Sequence, residues 1–379
     1  MKIWVIGRSY PMSINNMQGS FELEQAKMLA KYNNNDVSYI TCVFHPYKKI
    51  GKWGYNSWEA DNINIYTNST FFAPERFKMH AEKYKTFIWK KFLKKVEEIS
   101  GLPDIIHIHY PTNITIANHI LTYKNKRIKI ICTEHWSQVL NKTLDRFELN
   151  QLKNYVENSD HFLSVGSALQ KSIYDITQTE KEIPIVGNVV NNYFIPIDRK
   201  KDCKIFKYIA VGNQVKLKRY DKIILSFYNL LKVIPNISLT LVGSGPEHNE
   251  LIKLVKKLNI EDKVIFTGSL SRAETARYVG LSNVLLCFSE YETFGVPIIE
   301  AWACGLPVVT SDSISVNEVW DDRLGYKIRN ANISDFSKKM KCIYENYEKF
   351  DKDYIRDYAI LNYSEESMYN RLMYYYKND

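Results

Sequence analysis

No stretch of this 379-residue chain approaches the ~20 consecutive apolar residues that a membrane-crossing helix needs. The opening segment has a four-residue apolar run, Ile3 to Ile6, before Gly7 and Arg8, which reads as a first strand and not as a secretory leader. Cysteine is sparse. Cys42, Cys132, Cys203, Cys287, Cys304 and Cys342 are scattered without a C-x-x-C pair, the pattern of reduced thiols rather than of disulfides or a zinc site. These features together point to the cytoplasm. No Asp-x-Asp motif and no His-and-acid set with ligand spacing occurs, so no metal is expected. Short-period repeats and low-complexity tracts are missing as well. A dinucleotide reductase would need G-x-G-x-x-G after a strand, but Gly243 and Gly245 are followed by His248 where the third glycine belongs.

What is present suffices for two cores: the chain is 45% hydrophobic and longer than the usual single domain. Strand-like runs at 3–6, 37–43, 105–109, 128–133 and 161–165 alternate with helix-like ones, among them 21–31. A second series, 205–211, 238–242, 264–266, 284–288 and 307–310, begins after the mixed-charge segment 191–204, the best linker. Such alternation predicts α/β architecture, two Rossmann-like doubly wound parallel-sheet domains at 1–192 and 193–355 facing a central cleft. An aromatic helical tail, 356–379, follows, with a break near Asn362 to Ser364. Ligands of such sheets lie outside the carboxyl ends of the strands, so the loops there carry the chemistry.

The most informative loop is 292–300, ETFGVPIIE. Gly295 gives a turn, Pro297 suits a first helical turn, and a short apolar helix should run from about Val296 to Gly305, with Pro307 opening the next strand. A diphosphate resting on the amides of Phe294, Gly295 and Val296 would have Glu292 toward one substituent and Glu300 toward the other. Carboxylates accept hydroxyl hydrogen bonds, as two sugars require. Either acid alone is equally explained by the dipole of the helix start.

Two acids eight residues apart, with Phe294 and Gly295 between them and a Gly305-x-Pro307 exit, resemble the E-x7-E signature of retaining glycosyltransferases with the GT-B fold, chiefly glycosyltransferase family 4. The resemblance covers nearly the whole chain and is most specific in the second half. It implies a GT-B fold whose final helix crosses back to the first domain. The implied activity is a hexosyl-type transfer from a UDP- or GDP-sugar, without metal, to a hydroxyl of a glycan or lipid-linked acceptor, as in lipopolysaccharide or capsule synthesis. Nucleic acid is not an expected partner. By the same resemblance Glu292 contacts the transferred sugar and Glu300 holds the nucleotide ribose.

Other motifs join by the same likeness. In Gly212 to Asp221 a loop with three cations precedes a helix, and Lys218 matches the family's phosphate-binding lysine; these cations can also be read as solvated surface. The expected arginine is Asn213, so its charge is missing or comes from Lys216 or Arg219. Gly243 lies in the family's Gly-x-Gly-Pro turn, and Leu270 in a loop that packs around the base through its backbone. Gly19 starts a helix close to the donor and acceptor, though it stands alone where relatives often have two glycines. His135, one step beyond its strand, falls where the family places a histidine that touches the reacting sugar. Strand alternation puts His107 and His109 on one face, where ordinary structural histidines are the expected reading.

The net charge of +9 favours anionic contacts. Between residues 83 and 96, Lys83, Lys85, Lys90, Lys91, Lys94 and Lys95 flank an apolar stripe of Trp89, Phe92, Leu93 and Val96. This spacing fits an in-plane helix on an anionic membrane surface, placing the protein peripherally on the inner face of the cytoplasmic membrane; it fits an ordinary core-facing helix as well. Two further functional readings stand beside the transferase: a noncatalytic scaffold subunit of the same fold, and a nucleotide-sugar epimerase.

Overall fold

The computed structural model describes residues 1–11, 19–45, 53–71, 78–114, 116–198, 205–312, 320–329 and 332–378. The linker segment expected at 191–204 therefore lies partly outside the described residues, as do Cys203 and the polar loop before Gly19. The chain forms two compact units, Met1–Gly187 with Tyr369–Asp379, and Asn188–Met368.

The first unit is built on a seven-stranded sheet. Its strands are β1 (Lys2–Ile6), β2 (Asp36–His45), β3 (Gly54–Ala60), β4 (Ile63–Phe71), β5 (Ile105–His109), β6 (Lys129–Glu134) and β7 (His161–Ser164). They are ordered β3-β4-β2-β1-β5-β6-β7. Every pairing is parallel except β3 with β4. Helices on both faces explain the continuous apolar runs: Ile3, Trp4, Val5 and Ile6 are all fully buried. The β3–β4 hairpin was not anticipated. Much of β3 is exposed and polar, so it has no apolar run to announce it. Its turn, Asp61 and Asn62 with φ of 53° and 59°, uses the left-handed pair that a two-residue hairpin loop demands.

Helix Lys78–Ser100 decides between the two readings of its apolar stripe in favour of the core-facing one. Trp89, Phe92, Leu93 and Val96 are buried in the core, so that stripe faces the protein and cannot enter a membrane. The outward face carries Lys83, Lys90, Lys91, Lys94 and Lys95, together with Phe87, which is 62% exposed. Phe87 and Phe147 border a groove of about 790 Å³, with Lys83, Lys90 and Arg146 also on its walls.

The second unit holds six parallel strands: β8 (Phe206–Val211), β9 (Ile237–Val242), β10 (Val264–Gly268), β11 (Val284–Cys287), β12 (Val308–Ser311) and β13 (Gly325–Ile328). Their order is β10-β9-β8-β11-β12-β13. Strand β13 escaped the sequence reading because it is four residues long and begins with glycine. Tyr208, Phe227, Phe288, Phe336 and Met340 centre the core. The tail forms helices Lys352–Tyr363 and Glu365–Lys377, separated at Ser364 within the stretch where a break was expected. Its last residues belong to the first unit, where Tyr369 Oη accepts a 2.8 Å hydrogen bond from Asn33. Among the described residues no helix is long and apolar enough to cross a membrane.

Candidate active site

In the second unit the predicted helix start is present: helix Val296–Ala303 opens at Gly295, whose φ of 95° suits glycine, and Pro297 sits in the first turn. The Ile298 N–H bonds back to the Gly295 carbonyl at 2.9 Å. The amides of Gly295 and Val296 precede it at the positive end of the helix, where backbone donors lack intrahelical acceptors. The Phe294 side chain packs inward against Tyr363, ring centroids 5.7 Å apart, so only its backbone can serve a ligand. Gly305, with φ of 71°, closes the helix as expected.

Glu292 stands just before this start and forms an ion pair with Lys218. Ser289 Oγ also donates to Glu292 Oε1, at 2.7 Å. Burial pulls the Lys218 ammonium down, but Glu292 more than offsets it and its pKa lies above the ordinary lysine value. Lys218 is therefore a fixed cation beside the helix start. It ends the single turn Lys216–Lys218, and the 2.9 Å bond from Glu290 N to the Leu217 carbonyl joins this loop to the one carrying Glu292. Arg219, with φ of 48°, pairs with Glu290, while Lys216 and Asn213 are exposed.

The glycine turns bring two loops into backbone contact. Gly243 has φ of 119°, and a Cβ there would overlap the Gly212 carbonyl oxygen. Gln214, wholly buried, donates to the Gly243 carbonyl at 2.9 Å and meets His248 Nδ1 at 2.7 Å. Sequence reasoning missed Gln214, since nothing local marks it. It also missed Arg272, whose Nη2 donates to Glu300 Oε1 at 2.5 Å. Glu300 is 1% exposed; burial raises its pKa above the ordinary carboxylate value, with Arg272 opposing. Leu270 is half-buried in the loop between β10 and helix Arg272–Gly280.

In the first unit Gly19, φ 87°, caps helix Ser20–Lys31, and a Cβ there would overlap the Ser9 carbonyl oxygen. Close backbone approach thus accounts for this lone glycine. Arg8 bonds the fully buried Glu22 at 3.1 Å, and its guanidinium lies 3.2 Å from the Tyr110 ring centre. His135 stacks on the same Tyr110 ring, their centroids 4.7 Å apart. Its Nε2 meets His109 Nδ1 at 2.9 Å. His107 is satisfied at both nitrogens, by Tyr376 Oη at 2.6 Å and Thr133 Oγ1 at 2.8 Å, the structural role expected of it. Glu134, also missed, is fully buried and accepts 2.9 Å bonds from the amides of His135 and Trp136, which fixes where the His135 ring begins.

Residues 195–358, most of the second unit, match the family model described as glycosyl transferases group 1. The chain is 30% identical over 225 residues to an N-acetyl-alpha-D-glucosaminyl L-malate synthase of Bacillus anthracis, covering 57% of this chain and 58% of that protein. The chain thus spans little over half the length of this curated relative. Among solved structures, sucrose-phosphate synthase from Thermosynechococcus elongatus superposes with a TM-score of 0.77 at 18% identity, covering 100% of this chain and 98% of that one. Anabaena HepE, solved with UDP and glucose, gives 0.71 at 15% identity, covering 99% and 98%. The fold is the GT-B fold, two Rossmann-like parallel-sheet units with C-terminal helices.

Proposed function

We propose that this chain is a retaining, metal-independent glycosyltransferase. It moves a sugar from a UDP- or GDP-sugar to a hydroxyl of a glycan or lipid-linked acceptor in cell-surface polysaccharide synthesis. The observation that carries the reading is the convergence of Lys218, Glu292 and the start of helix Val296–Ala303 in one unit, with Glu300 one turn farther along that helix. The family match over this unit and the UDP and glucose bound by the structural neighbour HepE support a nucleotide-sugar donor.

As the anomeric C–O bond breaks, negative charge grows on the diphosphate and positive charge on the sugar ring. Lys218 and the amides at Phe294, Gly295 and Val296 stabilise the first charge, a preorganised arrangement in which no metal is needed. Glu292 orients the transferred sugar, Glu300 takes the ribose hydroxyls, and Gly212, Gly243 and Leu270 shape the backbone around the nucleotide. The leaving phosphate can itself take the acceptor's proton. We place the protein in the cytoplasm, with the lysine-rich outward face of 83–96 against an anionic membrane surface where a lipid-linked acceptor would lie.

The test is donor hydrolysis. Incubation with a panel of UDP- and GDP-sugars should release nucleoside diphosphate, and Glu300→Ala or Lys218→Ala should cut that release strongly. No turnover and no thermal shift with any donor would favour a scaffold, and an altered sugar on an intact diphosphate would favour an epimerase.

A further inference from the structure

We propose that Arg272 is a positioning residue for the donor's ribose, holding through its bond to Glu300 the carboxylate that receives the ribose hydroxyls. The inference rests on the reading of Glu300 as the ribose acceptor and adds a residue that no sequence motif marked. Glu300 lies inside helix Val296–Ala303 at 1% exposure, where a lone carboxylate is costly and escapes the cost by taking up a proton. A protonated acid would donate where two hydroxyls also need to donate, so recognition requires the charged form. Arg272 supplies the compensating cation from 2.5 Å through Nη2 to Oε1. A carboxylate offers about four lone-pair sites, so this pairing leaves capacity for hydroxyl hydrogens.

The guanidinium is itself held in place. Arg272 is the first residue of helix Arg272–Gly280, and a reciprocal cap fixes that start: Ser271 N donates to Glu274 at 2.9 Å, and Glu274 N donates to Ser271 Oγ at 3.2 Å. Its guanidinium also lies 5.0 Å from the ring centre of Phe194, which is 1% exposed. A planar fork fixed by a helix start and an aromatic ring gives the carboxylate one orientation, which a flexible lysine ammonium would not.

The experiment is calorimetric titration of the whole protein with UDP and 2′-deoxyUDP, and in parallel with GDP and 2′-deoxyGDP. The wild-type protein should favour the ribonucleotide by roughly 10- to 100-fold, the worth of hydrogen bonds to a charged group. In Arg272→Met and in Glu300→Gln that preference should fall below about 3-fold, and Arg272→Lys should lie between, as expected for a point charge without the fork. Thermal melts establish that each variant is folded, and Arg272→Gln, with the same expected loss, replaces the Met variant should that one not fold. If the wild type binds neither nucleotide, or binds ribose and deoxyribose forms alike, the role of Glu300 is refuted and the inference goes with it. If wild type discriminates and Glu300→Gln does not, yet the folded Arg272 variants discriminate like wild type, the inference about Arg272 alone is overturned.

Discussion

The first unit should lose stability when the solution is acidified from pH 7.5 to 5.5. His107, His109 and His135 form one buried row, with ring centroids 4.4 and 5.2 Å apart. Burial lowers the pKa of His107 to about 3. It also holds His109 and His135 well below the ordinary histidine range, with smaller effects from neighbouring histidines and Arg8. In the unfolded chain each takes up a proton near pH 6.5, while in the folded unit none does so in this window. The unfolded state then binds more protons, so the stability present above pH 6.5 is lost progressively as pH falls toward the folded values. The loss is ~1.4 kcal/mol per histidine at pH 5.5, or ~4 kcal/mol for the three if they act independently. Glu134 works the other way: burial raises its pKa against hydrogen bonds from Thr112, Trp136 and His135, so it offsets part of the loss as pH falls to its folded value. Urea unfolding followed by tryptophan fluorescence reads this unit preferentially, since Trp4, Trp53, Trp58, Trp89 and Trp136 lie in it and only Trp302 and Trp320 in the other. His107→Asn should be less stable at both pH values but show about a third less difference between them. A midpoint for the first unit that does not move between pH 7.5 and 5.5 would refute the reasoning.

Two other perturbations test the site and the surface. Gly243→Ala places a Cβ against the Gly212 carbonyl oxygen in a backbone that already has φ of 119°, so it should cost ~1–3 kcal/mol and weaken the thermal shift given by UDP or GDP; an unchanged melt and shift would show that the two loops can part freely. Changing Lys90, Lys91, Lys94 and Lys95 to Gln should reduce flotation with anionic liposomes, at ~1 kcal/mol per lysine near the surface, and equal flotation of both proteins would discard the membrane contact.

How much could be read from the chain alone follows from which interactions are local. Strands buried on both faces, such as β1 and β11, show themselves as unbroken apolar runs, and helix Val296–Ala303 declares its ends through Gly295, Pro297 and Gly305. The hairpin at β3 and β4 does not, because β3 has no fully buried residue and its pairing partner supplies the order that its own sequence lacks. The stripe Trp89, Phe92, Leu93 and Val96 shows a different limit: helical spacing states that one face is covered but not what covers it, and here the cover is the unit's own core. Partners distant in sequence are the hardest case. Lys218 and Glu292 are 74 residues apart and Arg272 and Glu300 are 28 apart, so no period or spacing links them. Lys218 and Glu292 are nonetheless marked one by one, because each sits in a recognisable loop, though nothing in the sequence pairs them, whereas Arg272 sits in a helix start that any polar residue could occupy. Its significance comes only from the buried charge it faces, and a buried carboxylate in a helix that is otherwise apolar is itself the signal: wherever a sequence places one, a cation must be sought elsewhere in the fold.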